Sequence, residues 1–244
     1  MKKSLLYLVP FFCVALNAQE ASVQTNSYKF NNNFDLALST NGSQSSGALS
    51  WVHFHAVTKK KRFRIGYGVR FTSQVGSNLT YVTAPAKLTS KQTGPQVLFS
   101  KIYYENVDTF FVSSTRHNSL NLSINLQYTI KDKLDIGFNI DAVGFSFGKK
   151  VNGTYSSYQD KINKQEQTAK PTSLNLLLVS DNDIGSLNSE LYARYWVNSK
   201  WAVKAGATFL FTEYTTTNKL RLENNRWRNK SLMAMVGITF SPFK

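Results

Sequence analysis

His117 and Ser119 are the pair whose residue types and spacing point most directly to catalysis. Two apart on an extended strand they share a face, and an imidazole beside a hydroxyl can take the serine proton as general base. Leu120 follows them, and no carboxylate in register to orient the imidazole is evident. His53 and His55 also share a strand face and could begin a metal site, but no third or fourth ligand stands near, so a lumen-lining or turn-proximal role is expected. The chain shows no phosphate-cradling glycine loop, zinc signature, nucleophile elbow or paired-carboxylate motif. No catalytic residue, cofactor or metal is therefore expected.

Two charged groups remain. Asp35, Arg62, Arg64, Arg70, Asp135, Asp141, Glu190, Arg194 and Lys204 fall on the polar sides of strands whose other sides are apolar. Lys219, Arg221, Arg226, Arg228 and Lys230 cluster near residue 225, where Glu223 is the one nearby acid. What these charges can do depends on the elements that hold them.

Those elements are strands with period 2. Residues 118 to 130 place Asn118, Leu120, Leu122, Ile124, Leu126, Tyr128 and Ile130 on one face, and only polar residues on the other. The same alternation runs through 62–73, 187–197, 201–214 and 231–240, and briefly through 34–39. Residues 134–147 change phase between Ile140 and Val143, which predicts a bulge near Ala142 to Gly144. Residues 47–57 are ambiguous around Trp51 and Val52. These make eight strands. Their connectors alternate: tight polar turns at 59–61, 131–133 and 198–200, and between them a brief connector at 41–46 and long ones at 74–116, 149–183 and 215–229. In an up-and-down sheet, every tight turn lies at one end and every long loop at the other. The two longest loops are expected to rise as hairpins, 108–116 having the β-branched and aromatic content for it.

Residues 1–18 have the basic lead, apolar core and small-residue cut of an export signal, too short to span a bilayer. The single cysteine, Cys13, lies inside that segment, so no disulfide, thiol nucleophile or cysteine zinc site is expected in the exported chain. Residues 19–32 read as a flexible lead-in and 33–244 as one barrel domain. Low mean hydropathy does not argue against a membrane barrel, because lumen-facing residues dilute lipid-facing ones.

With this loop sorting, residues 33 to 244 resemble small eight-stranded outer-membrane β-barrels of Gram-negative bacteria, the OmpA/OmpX-like class. Gly237 and Phe240 partly match the terminal-strand pattern that serves such barrels as an assembly signal, although the next aromatic is Phe243 and Pro242 stands where it would fall. The resemblance implies an all-β fold: an eight-stranded antiparallel up-and-down transmembrane β-barrel with short periplasmic turns and long extracellular loops, inserted in the outer membrane by the barrel assembly machinery. Aromatics on the apolar face gather toward both strand ends, as headgroup belts would require. The nine charges would then pair inside the lumen and plug it. The formal net charge of +15 would ordinarily suggest nucleic acid; export and the absence of a basic helix argue against that. The 219–230 cations are expected either to meet lipopolysaccharide phosphates or to form a merely solvated charged loop.

The functional expectation is a non-enzymatic barrel acting through its loops in envelope structure, adhesion or a complex. Two alternatives stand: a lipid A-modifying barrel enzyme, since lipid A deacylases carry a His-x-Ser pair like that at His117, and a soluble, secreted lipocalin-like binder.

Overall fold

The computed structural model describes residues 30–242. The export signal, most of the lead-in and Phe243 lie outside them. Eleven strands follow in chain order: β1 (Phe30–Thr40), β2 (Gln44–Ala56), β3 (Phe63–Thr83), β4 (Thr109–Lys131), β5 (Leu134–Phe147), β6 (Val151–Ser157), β7 (Ile162–Pro171), β8 (Leu174–Leu176), β9 (Asn188–Trp196), β10 (Trp201–Thr216) and β11 (Arg226–Phe240). A one-turn helix, α1 (Ala86–Thr89), follows β3.

Eight of these strands close a ring. β1 pairs with β2, β2 with β3, β3 with β4, β4 with β5, β5 with β9, β9 with β10 and β10 with β11, and β11 returns to β1 with Phe240 opposite Phe34. All pairs are antiparallel, and closure leaves the ring without an open edge.

The alternation sorts the faces as the sequence predicts. On β4, Asn121, Ser123, Asn125 and Gln127 are buried, while Leu122 is 54% and Ile124 47% exposed. Exposed apolar side chains and buried polar ones mean the barrel is apolar outside and polar inside. The bulge is where the phase change placed it: Leu122 opposes Val143 and Ser123 opposes Asp141, so Ala142 is the extra residue. β2 alternates without a break; Leu49, Trp51, His53 and His55 face outward, and Val52 and Phe54 are buried inside.

Strand bounds differ from the sequence reading, while the hairpins expected of the two longest loops are present. β1 begins at Phe30, so residues 30 to 32, expected in the lead-in, already pair with β2. β3 and β4 continue to Thr83 and from Thr109, so much of the 74–116 connector is a strand extension. Residues 151–171 form the hairpin β6–β7, and β8 takes the place beside β5 that β9 leaves vacant above Ile140.

These extensions close a second, narrower ring above the first. The β1–β2 hairpin turns early at Asn41–Gly42, where Gly42 takes a positive φ of 90°. Above that turn β3 meets β11 directly, Thr83 opposite Trp227. On the other side, β6 replaces β5 next to β4, and β7 replaces β9 next to β10. The upper ring of β3, β4, β6, β7, β10 and β11 has its own core: Leu79, Tyr81, Phe110, Val112, Tyr155, Ala169, Tyr214 and Trp227.

Candidate functional site in the barrel interior

The lower ring carries a chain of ions across its interior. Arg70 on β3 lies 3.5 Å from Asp141 on β5 and 3.9 Å from Glu190 on β9. Glu190 is 2.7 Å from Lys204 on β10, and Lys204 is 3.4 Å from Asp35 on β1. Asp35 in turn receives Arg194 of β9 at 2.8 Å. All six are at most 3% exposed. The order Asp141, Arg70, Glu190, Lys204, Asp35, Arg194 alternates in sign, so like charges are never neighbours in it.

Neutral groups complete the layer. Thr239 of β11 donates to Asp35 at 2.6 Å, and Asn139 donates to Glu190 at 2.9 Å. Arg194 donates to Gln127 of β4, which donates to Asp135; Asp135 also accepts from Thr129 and from the Trp196 indole. Tyr192 lies beneath both Lys204, 4.1 Å from its ring centre, and Arg194. It reaches there because Gly137 faces it across the sheet; a Cβ on Gly137 would come within 2.3 Å of the Tyr192 ring.

Seven of the nine expected interior charges thus converge. Arg64 is half-buried near the lower mouth, and Arg62 does not belong to the set. Arg62 is exposed in the connector between β2 and β3, because β3 begins only at Phe63.

Above the ions comes a polar layer, then the aromatic cap. His117 and Ser119 lie in the polar layer, both buried and facing inward. The His117 ring sits 5.8 Å from Tyr214, and neither ring nitrogen has a hydrogen-bond partner among the described residues. In the cap, Tyr81 packs edge-on against Tyr214 at 5.3 Å, and Trp227 against Tyr155 at 5.5 Å. Tyr81 bonds Thr212, and Tyr155 donates to Asp108. Burial pushes the Tyr81 phenol up to about 12, so it remains a neutral hydroxyl there.

His53 and His55 do not line the lumen: they share the outward phase of β2 with Leu49 and Trp51, near the tight turns, their rings 4.7 Å apart, with His53 bonded to Asn32 and both beside Tyr67. No group of three or more metal-ligating side chains is found among the described residues.

The 219–230 cations are placed differently from the expectation. Arg226 and Arg228 both bind Glu213, and Arg228 is 1% exposed beneath the segment around Asp183. Arg221 pairs with Asp108 and Asp160, Lys219 with Glu223, and Lys230 with Asp181. Arg228 therefore does not face outward, and every cation of the cluster meets a carboxylate. Apart from Glu223, these acids come from other segments, which is why Glu223 alone was visible locally. Burial also raises the Asp183 carboxyl, despite the Leu178 amide and the nearby Arg228 that act the other way.

A closed ring with an ion-paired interior and an apolar wall defines a transmembrane β-barrel. Strands are its means of crossing; no described helix is long and apolar enough to do so. Such barrels, with tight turns at one end and long loops at the other, belong to the outer membrane of Gram-negative bacteria. Among solved structures, the chain is similar to Neisserial surface protein A, at 8% identity over 87% of this chain and 97% of that one, with a TM-score of 0.38. It is also similar to Ail, the attachment invasion locus protein of Yersinia pestis (8%, 87% and 95%, TM-score 0.33), and to a major outer membrane protein of Thermus thermophilus (11%, 88% and 100%, TM-score 0.36). At such identities and scores the likeness adds nothing to what the ring itself defines. No family model matches the chain, and no curated protein matches it in sequence.

Proposed function

We propose that the protein is a non-enzymatic outer-membrane barrel that does not conduct and works through its extracellular face, in envelope structure, adhesion or a partner complex. The observation that carries this reading is the stacking of two obstructions on one axis: the ion chain in the lower ring and the aromatic core in the upper one. A solute would have to separate buried ion pairs, at several kcal/mol per stranded charge, and then displace packed aromatics. The extracellular surface offers binding material instead: Phe99 and Tyr158 are each 93% exposed and Tyr104 78%. Exposed large apolar side chains of this kind favour contact with another molecule.

The inward direction of His117 and Ser119 supports the non-enzymatic reading over lipid A deacylation, which needs its nucleophile on the lipid side. The polar interior and apolar exterior favour a membrane barrel over a lipocalin-like binder. Reconstitution into planar bilayers tests the proposal. Purified protein is expected to give no large, stable open channels, and a steady conductance would overturn it.

A further inference from the structure

With the 219–230 cations neutralised by carboxylates, a different basic patch stands at the lipid boundary. Phe145 and Phe147 of β5 belong to the upper aromatic belt, with Phe71 6.4 Å from Phe147. Gly148 follows, wedged between two neighbours: a Cβ there would lie 2.9 Å from the Arg116 carbonyl and 3.2 Å from the Pro171 ring. Arg116 is thus beside the end of β5, Lys149 and Lys150 continue from it, and Lys170 precedes Pro171. Because Val151 of β6 opposes Ala169 of β7, Lys150, just before β6, and Lys170 of β7 lie beside one another. All four side chains are exposed. None forms an ion pair with a carboxylate among the described residues; the nearest acid on β7, Glu166, is four residues further up.

We propose that Arg116, Lys149, Lys150 and Lys170 form a docking patch for the phosphates of an outer-leaflet glycolipid. This rests on the outer-membrane reading. The height of the patch selects a lipid headgroup as occupant: it begins two residues past Phe147, where acyl chains give way to headgroups, and the exposed rings below it can lie along those chains. Charge complementarity supplies the rest, because guanidinium and ammonium groups donate charge-assisted bonds to phosphate oxygens. Each cation close to an anionic surface is worth about fivefold in affinity.

The test titrates bisphosphorylated lipid A and its dephosphorylated form against full-length exported protein in maltoside micelles, read by native mass spectrometry. Wild type is expected to prefer the bisphosphorylated lipid by at least about tenfold. The R116Q/K149Q/K150Q/K170Q variant should lose that preference, while K59Q/K60Q/K61Q, at the opposite end, should keep it. Retention of the preference by the quadruple variant overturns the proposal. So does displacement of the lipid by equimolar inorganic phosphate, which would assign the patch to a soluble anion. Heat-modifiable gel migration reports folding of each variant; should the quadruple variant not fold, K149Q/K150Q carries the test with a smaller loss of the same kind. Failure of wild type to insert into vesicles would instead sink the barrel reading, whatever the lipid result.

Discussion

Lys204 is the hinge of the interior ion chain, since it alone touches both Glu190 and Asp35. Replacing it with methionine keeps most of the volume and removes the charge. The gross attraction across the 2.7 Å contact is about 6 kcal/mol at an effective dielectric of ~20, and desolvation of the two ions offsets much of it. Neither acid is stranded by the change: Glu190 keeps Asn139 and Arg70, and Asp35 keeps Arg194 and Thr239. The expected cost is therefore near the lower end for breaking a buried pair, about 3 kcal/mol. Adding E190Q removes one of the two acids left facing the gap, so the double variant should lose less than the sum of the singles, by at least ~1 kcal/mol. Urea unfolding of detergent-folded protein, followed by tryptophan fluorescence and the folded gel band, measures both. A K204M cost below ~1 kcal/mol with strict additivity would refute the claim that the chain acts as one coupled network.

Trp227→Ala should open a cavity in the upper ring and cost about 3–5 kcal/mol; limited proteolysis is expected to cut within 150–171 while the lower ring keeps its folded gel mobility. His117→Phe should leave stability unchanged or slightly raised, because both ring nitrogens are buried without partners among the described residues, and cellular lipid A should show the same acylation by mass spectrometry. Asp183→Asn concerns pH. The folded carboxyl is raised, so its favourable contribution is complete below the unfolded value of 3.8 and is lost as pH rises through the folded one. The variant should thus unfold at higher denaturant than wild type at pH 7, with the difference vanishing near pH 3, provided the Asn side-chain oxygen keeps the bond from the Leu178 amide.

The lower ring was legible because its strands obey a two-residue period that only a wall with two different solvents enforces. Even the insertion at Ala142 announced itself, since one extra residue flips the phase of everything after it. The interior ions were legible for the same reason, as charges on the polar phase; Arg62 failed because periodicity does not mark where a strand stops. The rise of the two longest loops as hairpins was legible, Phe110 included, but their closure into a second ring was hidden. Leu79, Tyr81 and Trp227 sit in strands whose outer face meets water and loops rather than acyl chains, so their alternation is mixed with polar residues and reads as loop. The neutralisation of the 219–230 cluster was hidden as well, because Asp108, Asp160, Asp181 and Glu213 reach it only through the fold.

β11 is the closing stave of both cylinders: it pairs with β1 below and with β3 above, and β10 flanks it throughout. Until it docks, β1 below and β3 above each present a free edge, and neither the ion chain nor the aromatic lid is sealed from water. Biogenesis must therefore shield a long open sheet and complete both enclosures in one late event, so a variant weakened along β11 should accumulate as an unclosed, protease-sensitive precursor and not as a barrel lacking its top.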